Sequence, residues 1–243
     1  MRFNGINPSE ISPKIFASHE VINAIPPRSP RLVSTSEQSY LAGVDILQRE
    51  IHLHLNFAGK SHEHANNLAR RVAALFCTSE LGEYEPTHHP GKALSAILES
   101  ASDLEWKWGF GTVEYVFIAP RPYYHSTSET VIIGEDSINV EPQSSVPVRP
   151  MITHTMIAAA DALEISVGGS TVMRIRNPLG TQLQAGQIIK VDFANRLVLI
   201  AGEASMAYVD YTASDWHPKI LGATTIGISD AGPTEVRWRD EWM

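Results

Sequence analysis

The residues best suited to metal or nucleophile chemistry crowd into one stretch. His52 and His54, then His62 and His64 with Glu63 between them, lie between Arg49 and Thr78, as does Cys77, the sole cysteine. Imidazoles two apart on a strand point the same way, and such pairs ligate metals in cupin-type barrels. One alternative is therefore a metal-dependent, cupin-like enzyme using His52 and His54. Against it, Ile51, Leu53, Leu55 and Phe57 alternate with these histidines, which puts His52 and His54 on the polar face of a half-buried strand. His62 and His64 open a helix and stand about 200° apart around its axis, so they do not easily share one ion. No cupin-like acidic ligand follows at the expected distance. Cys77 has no Lys or protonated His poised to stabilise a thiolate, and reads as a small buried hydrophobe ending the helix.

Other candidates are weaker. His88-His89-Pro90-Gly91-Lys92 has the outline of a phosphate loop, but it lacks the earlier glycine and has Ala93 where Ser or Thr would hold magnesium. No G-x-S-x-G elbow is present. Asp192, Asp210 and Asp215 fall at strand ends or turns, where Asp bonds nearby backbone amides. Trp106 and Trp108, and the C-terminal Trp216, Trp238 and Trp242, would stack on sugar rings if exposed; in a sandwich they more often fill cores and interfaces. The expectation is no catalytic, cofactor-binding or metal residue, no cofactor, and no enzyme.

The elements that must position these residues are mostly strands. After Ala58-Gly59-Lys60 the period changes from two to that of a helix. Ala65, Leu68, Ala69, Val72, Leu75 and Phe76 recur at helical spacing, predicting one helix over about residues 61–77. Leu68→Asp is then expected to abolish folding of the first domain, and His52→Ala to be nearly silent. Before this stretch, Lys14 to Ile25 and Arg31 to Ser34 read as strands around Pro26-Pro27, with the prolines favouring edges or an extended arm. Val44 and Ile46 sit on the opposite parity to Ile51, so either a bulge or a strand junction lies near Leu47. Gly82 to Gly91 reads as a loop, and Ala93 to Ala101 is ambiguous between helix and strand. Leu104 to Phe110 and Val113 to Phe117 read as paired strands. Pro120-Arg121-Pro122 and a polar run then suggest a boundary, giving domains at residues 1–125 and 126–243, with a last strand that returns to the first domain or stays in the second. The second half is short strands at even intervals, with hairpins across Gly168-Gly169 and Ala194-Asn195. The fold class is mainly β: two β-sandwich domains, the first with one packed α-helix, the second a jelly roll.

The 243 residues carry a formal net charge of −8. That argues against electrostatic clamping of nucleic acid, which needs clustered Lys and Arg, though it suits a surface past which DNA slides. No apolar run approaches the ~20 residues that span a bilayer, and no apolar signal core follows Met1, so synthesis in the cytoplasm without a signal peptide is expected.

With that outline in place, the residues resemble the distal tail protein (Dit) family of long-tailed, siphovirus-like bacteriophages. The likeness in the first half rests on R-x-I-x-L-x-L at Arg49 to Leu55, the turn at Gly59 to Ser61, the Ala/Leu-rich helix from Asn67 to Phe76, P-T-H-H-P-G-K, and strands ending at Phe117-Ile118-Ala119-Pro120. In the second half it rests on Val146 to Ile152, on Gly186 to Phe193, on Asp215 to Gly222, and on V-x-W-x-R at Val236 to Arg239. Gly222-Ala223-Thr224-Thr225 departs from the Gly-Asn pair common in relatives. The resemblance implies a galectin-like second domain and a homohexameric ring at the virion tail tip. The ring would join the tail tube protein to the tail hub and to receptor-binding or baseplate proteins, with DNA passing through its lumen unbound and no membrane contact. The competing class is a carbohydrate-binding jelly-roll module of a tail fibre, using Trp106 or Trp216.

Overall fold

The computed structural model describes residues 1–34 and 39–243; residues 35–38, part of the arm expected before Val44, lie outside the described residues. The chain divides into two compact units, Met1–His125 (with Met243) and Ser126–Trp242. In the first, the strands are β1 (Arg2–Phe3), β2 (Ile15–Ile22), β3 (Arg28–Ser34), β4 (Ser39–Ile46), β5 (Arg49–Ala58), β6 (Gly82–Glu85), β7 (Lys92–Ala101), β8 (Glu105–Lys107) and β9 (Phe110–Ala119), with helices α1 (Pro8–Ile11) and α2 (His62–Phe76). Sheet order runs β1-β6-β7-β9-β5-β2, with β8 on β9. The central pair is β5 and β9, antiparallel from Arg49↔Ala119 to Ala58↔Phe110.

The two-residue period of β5 is realised in full: Ile51, Leu53, Leu55 and Phe57 are buried, and their neighbours face the other side. The change of period at Gly59 is equally literal. Gly59 is required there, because a Cβ would sit 2.9 Å from the Ser61 carbonyl oxygen and 3.0 Å from the Ala65 nitrogen. Ser61 caps α2, its hydroxyl accepting from the His64 amide at 3.2 Å. The helix lays Ala65, Leu68, Ala69, Val72 and Phe76 against the sheet. Phe76 is the anchor, its ring 5.1 Å from both Tyr115 and Phe117 and 5.5 Å from Phe3.

Two local expectations need correcting, and two open alternatives are decided. Gly82–Glu85 is a strand and not part of a loop: Gly82 and Tyr84 turn into the core, and Tyr84 donates to Glu20 Oε1 at 2.6 Å. Lys92–Ala101 is a strand throughout. Trp106 and Trp108 do not share a strand, because the chain reverses at Trp108-Gly109, both at positive φ (53° and 83°), between β8 and β9. At Leu47 two strands meet.

The second unit is a sandwich of antiparallel sheets. After β10 (Tyr124–Ser126) come β11 (Thr130–Gly134), β12 (Ser137–Val140), β13 (Met151–Thr155), β14 (Ala162–Val167), β15 (Ser170–Arg176), β16 (Ile188–Asp192), β17 (Leu197–Ile200), β18 (Glu203–Ala204), β19 (Thr224–Ile228), β20 (Thr234–Trp238) and β21 (Glu241–Trp242). One sheet is ordered β11-β20-β13-β16-β17-β18, the other β12-β19-β14-β15. Their inner faces enclose one core, including Ile152, Leu163, Ile165, Ile175, Val191 and Val236. The β14–β15 hairpin turns at Gly168-Gly169 (φ 57° and 83°), as two glycines between alternating runs predict. Strands β11 and β12 lie in the polar segment whose composition signalled only a boundary.

Candidate functional site

The histidines of β5 meet carboxylates rather than a ligand sphere. His52 Nδ1 lies 2.7 Å from Glu114 Oε1 and its Nε2 3.6 Å from Glu50; His54 Nε2 is 3.7 Å from the same Glu114 oxygen. Register places His19 of β2 beside His54, with ring centroids 5.9 Å apart. The hydrogen bond to Glu114 holds the His52 imidazolium above its ordinary 6.5, against desolvation. The same bond holds Glu114 below its ordinary 4.5. The result is a half-exposed ion-pair network on the sheet face opposite α2. His62 and His64 are elsewhere: His62 is edge-on to Trp106 at 6.1 Å, and the His64 amide closes the helix cap. Among the described residues, no group of three or more His, Cys, Asp or Glu is placed to hold a metal ion.

Cys77 departs from expectation. It is exposed, because the last inward position of α2 is Phe76 and the next residue leaves the helix. Asp192, Asp210 and Asp215 accept from the amides of Ala194 and Asn195, of Thr212, and of His217, the usual duty of turn carboxylates. Trp216 packs edge-on to Phe193 at 6.0 Å and Trp238 is buried, whereas Trp108 is 96% exposed at its turn.

Arg49 and His154 are polar residues at core positions. Arg49 is fully buried, its guanidinium 4.8 Å above the Tyr124 ring. His154 is buried between Thr234 Oγ1 (2.7 Å) and Asp230 Oδ2 (3.0 Å), and that carboxylate also accepts from the Ile157 amide, tying the loop after β13 to the one before β20. Parity marks both in the sequence: Arg49 shares the inward face with Ile51, and His154 with Ile152.

The feature with the clearest use is the β3–β4 hairpin, which forms its own two-stranded sheet. The register slips between Arg31 and Leu32, pairing Arg31↔Gly43 but Leu32↔Leu41. That one-residue bulge brings Leu41 onto the same face as Val44 and Ile46. All three are exposed, at 62%, 45% and 45%. The opposite face carries the Arg31–Asp45 ion pair at 2.9 Å. The hairpin is therefore amphipathic: among the described residues, Leu41, Val44 and Ile46 form an exposed apolar row, with Arg28 opposite Ile46 at its end. Next to it in sequence, β2 ends the sheet, and its own register slips between Ala17 and His19.

Residues 143–242 match the family model for the siphovirus-type tail component, C-terminal domain. The match lies within the second unit. The distal-tail resemblance extends to the fold of the whole chain, which is similar to the crystal structure of the phage SPP1 Dit protein, described as a paradigm of the hub adsorption apparatus in phages infecting Gram-positive hosts. The TM-score is 0.80 at 12% identity, covering 99% of this chain and 98% of that one. A chain of the phage P2 baseplate in its activated conformation is similar at a TM-score of 0.51 and 8% identity, covering 95% and 91%. No curated protein matches the sequence. The mainly β, helix-bearing architecture is that of the SPP1 Dit fold.

Proposed function

We propose that this chain is a non-enzymatic component of a phage tail tip, six copies of which close into a ring joining the tail tube to the hub and the host-adsorption proteins. The amphipathic hairpin carries this reading. An exposed apolar face made of Leu41, Val44 and Ile46 needs a cover, and a head-to-tail contact with the next copy would supply one at every position of a closed ring. The first units would build the ring, and the second would dock outer tail proteins. DNA crossing the lumen calls for a neutral or acidic lining, in keeping with the net charge of −8.

The test is a pair of substitutions, Val44→Lys with Ile46→Lys. Both lie on β4, outside the main sheet, so the variant should unfold at the wild-type temperature yet run as a monomer where the wild type forms rings. Rings that survive the change would sink the hairpin's role. Deleting residues 20–40 is a poorer test, because it removes Glu20, whose carboxylate holds Tyr84 and the Thr87 amide.

A further inference from the structure

The second unit contains a groove of about 530 Å³ between β15 and the segment that follows the 3₁₀ turn Met206–Tyr208. That volume lies within the range of small-ligand sites and suits one or two pyranose rings. Its framework is fixed by backbone bonds. Ile175 bridges to Val209, the Asp210 amide donates to the Arg174 carbonyl at 2.9 Å, and Asp215 donates to Val172 at 2.8 Å. The segment thus runs along the free edge of β15, held by one bridge and two backbone bonds.

The lining mixes charges evenly. Arg174 and Arg176 line it together with Asp161, Asp210, Tyr208 and Tyr211, and Arg174 Nε also pairs with Glu164 Oε1 at 3.3 Å. Arg176 reaches Asp210 Oδ2 at 3.2 Å, while Asp210 Oδ1 accepts from the amide and the hydroxyl of Thr212 at 3.2 and 2.7 Å. The Thr212 hydroxyl bond is the main reason this carboxyl sits below its ordinary range and stays ionised. Oδ2 keeps a lone pair beyond the one facing Arg176, and the guanidinium, 58% exposed, has further N–H groups to offer. Asp161 Oδ1 accepts from Gln182 Nε2 at 3.1 Å.

From this arrangement we infer that the groove binds a neutral saccharide. A vicinal diol offers hydroxyls that both donate and accept, which matches an Arg–Asp pair presenting both functions side by side. Two cations opposite two carboxylates select against a phosphate and against a metal ion alike. Tyr211, 61% exposed at the rim, offers a ring face for the apolar side of a sugar. The site uses none of the tryptophans singled out in the sequence. It stands independently of ring formation, so either reading can fail alone.

The experiment titrates methyl glycosides of glucose, galactose, N-acetylglucosamine and rhamnose into the full chain by saturation-transfer NMR and calorimetry, with inorganic phosphate as the anionic control. The expected result is saturable binding to at least one glycoside, on the order of millimolar, weakened about tenfold or more by Tyr211→Ala and by Arg176→Ala at unchanged melting temperature, and unaffected by Trp106→Ala. Three outcomes overturn the inference: no saturable binding to any glycoside, binding indifferent to both groove variants, or phosphate binding more tightly than every glycoside. Ring assembly, measured on the same variants, should be unchanged.

Discussion

His52 and Glu114 couple the first unit's stability to pH in a direction fixed by their shifts. His52 titrates above its ordinary 6.5 when folded, so its contribution is complete below that value and is lost as pH rises through the folded pKa. Glu114 titrates below 4.5 when folded, so its contribution is present above that value and lost as pH falls through the folded pKa. Melting temperature should therefore decline on the alkaline side in the wild type and decline less in His52→Ala. Identical slopes would show that the pair does nothing. Because the groups are half-exposed, His52→Ala should otherwise change little. Cys77 gives a second check at this scale: its thiol should react with a maleimide in the native protein as fast as a free cysteine does, whereas slow labelling would mean it is covered. The sequence separated the exposed histidines from the core well, because parity is a backbone property. Arg49 and His154 are the counter-case, because their polar residue types suggest a surface place while their register puts them inside. Cys77 went wrong for a related reason, since residue type outweighed its position one step beyond the last inward turn.

Among the elements, α2 is the one whose removal the first unit cannot absorb. Leu68, Val72 and Phe76 fill the space under β5 and β9. Leu68→Ala should cost about 2–4 kcal/mol, read from denaturant unfolding, and Leu68→Asp should leave the first unit unfolded by circular dichroism. A folded Leu68→Asp variant would mean the helix is not a core element. This helix was legible because its cap, its period and its bounding glycine all agree, as was the Gly168-Gly169 hairpin for the same kind of reason. Strands β6, β11 and β12 were not legible. Each is at most five residues long, and each sits among turn residues. They are strands because neighbours pair with them, which is information the local sequence lacks. The tight reversal at Trp108-Gly109 was missed because a tryptophan at positive φ is rare.

For the whole molecule, the decisive question is what covers the apolar face of the β3–β4 hairpin. The prolines of the arm were visible in the sequence as edge signals, but the bulge that gathers Leu41, Val44 and Ile46 onto one side was not, because a register slip depends on both strands at once. The candidate groove was equally hidden: Asp161 and Arg176 meet across the β14–β15 pairing, and Asp210-Tyr211, more than thirty residues further on, join them only where their segment runs along β15. The central claim is assembly, and the mass of the purified chain in solution, alone and with tail tube and hub proteins added, tests it most directly. The account predicts a six-subunit species with six-fold rings in negative stain, reduced to monomers by Val44→Lys with Ile46→Lys. A wild-type chain that stays monomeric in every one of those mixtures would contradict it.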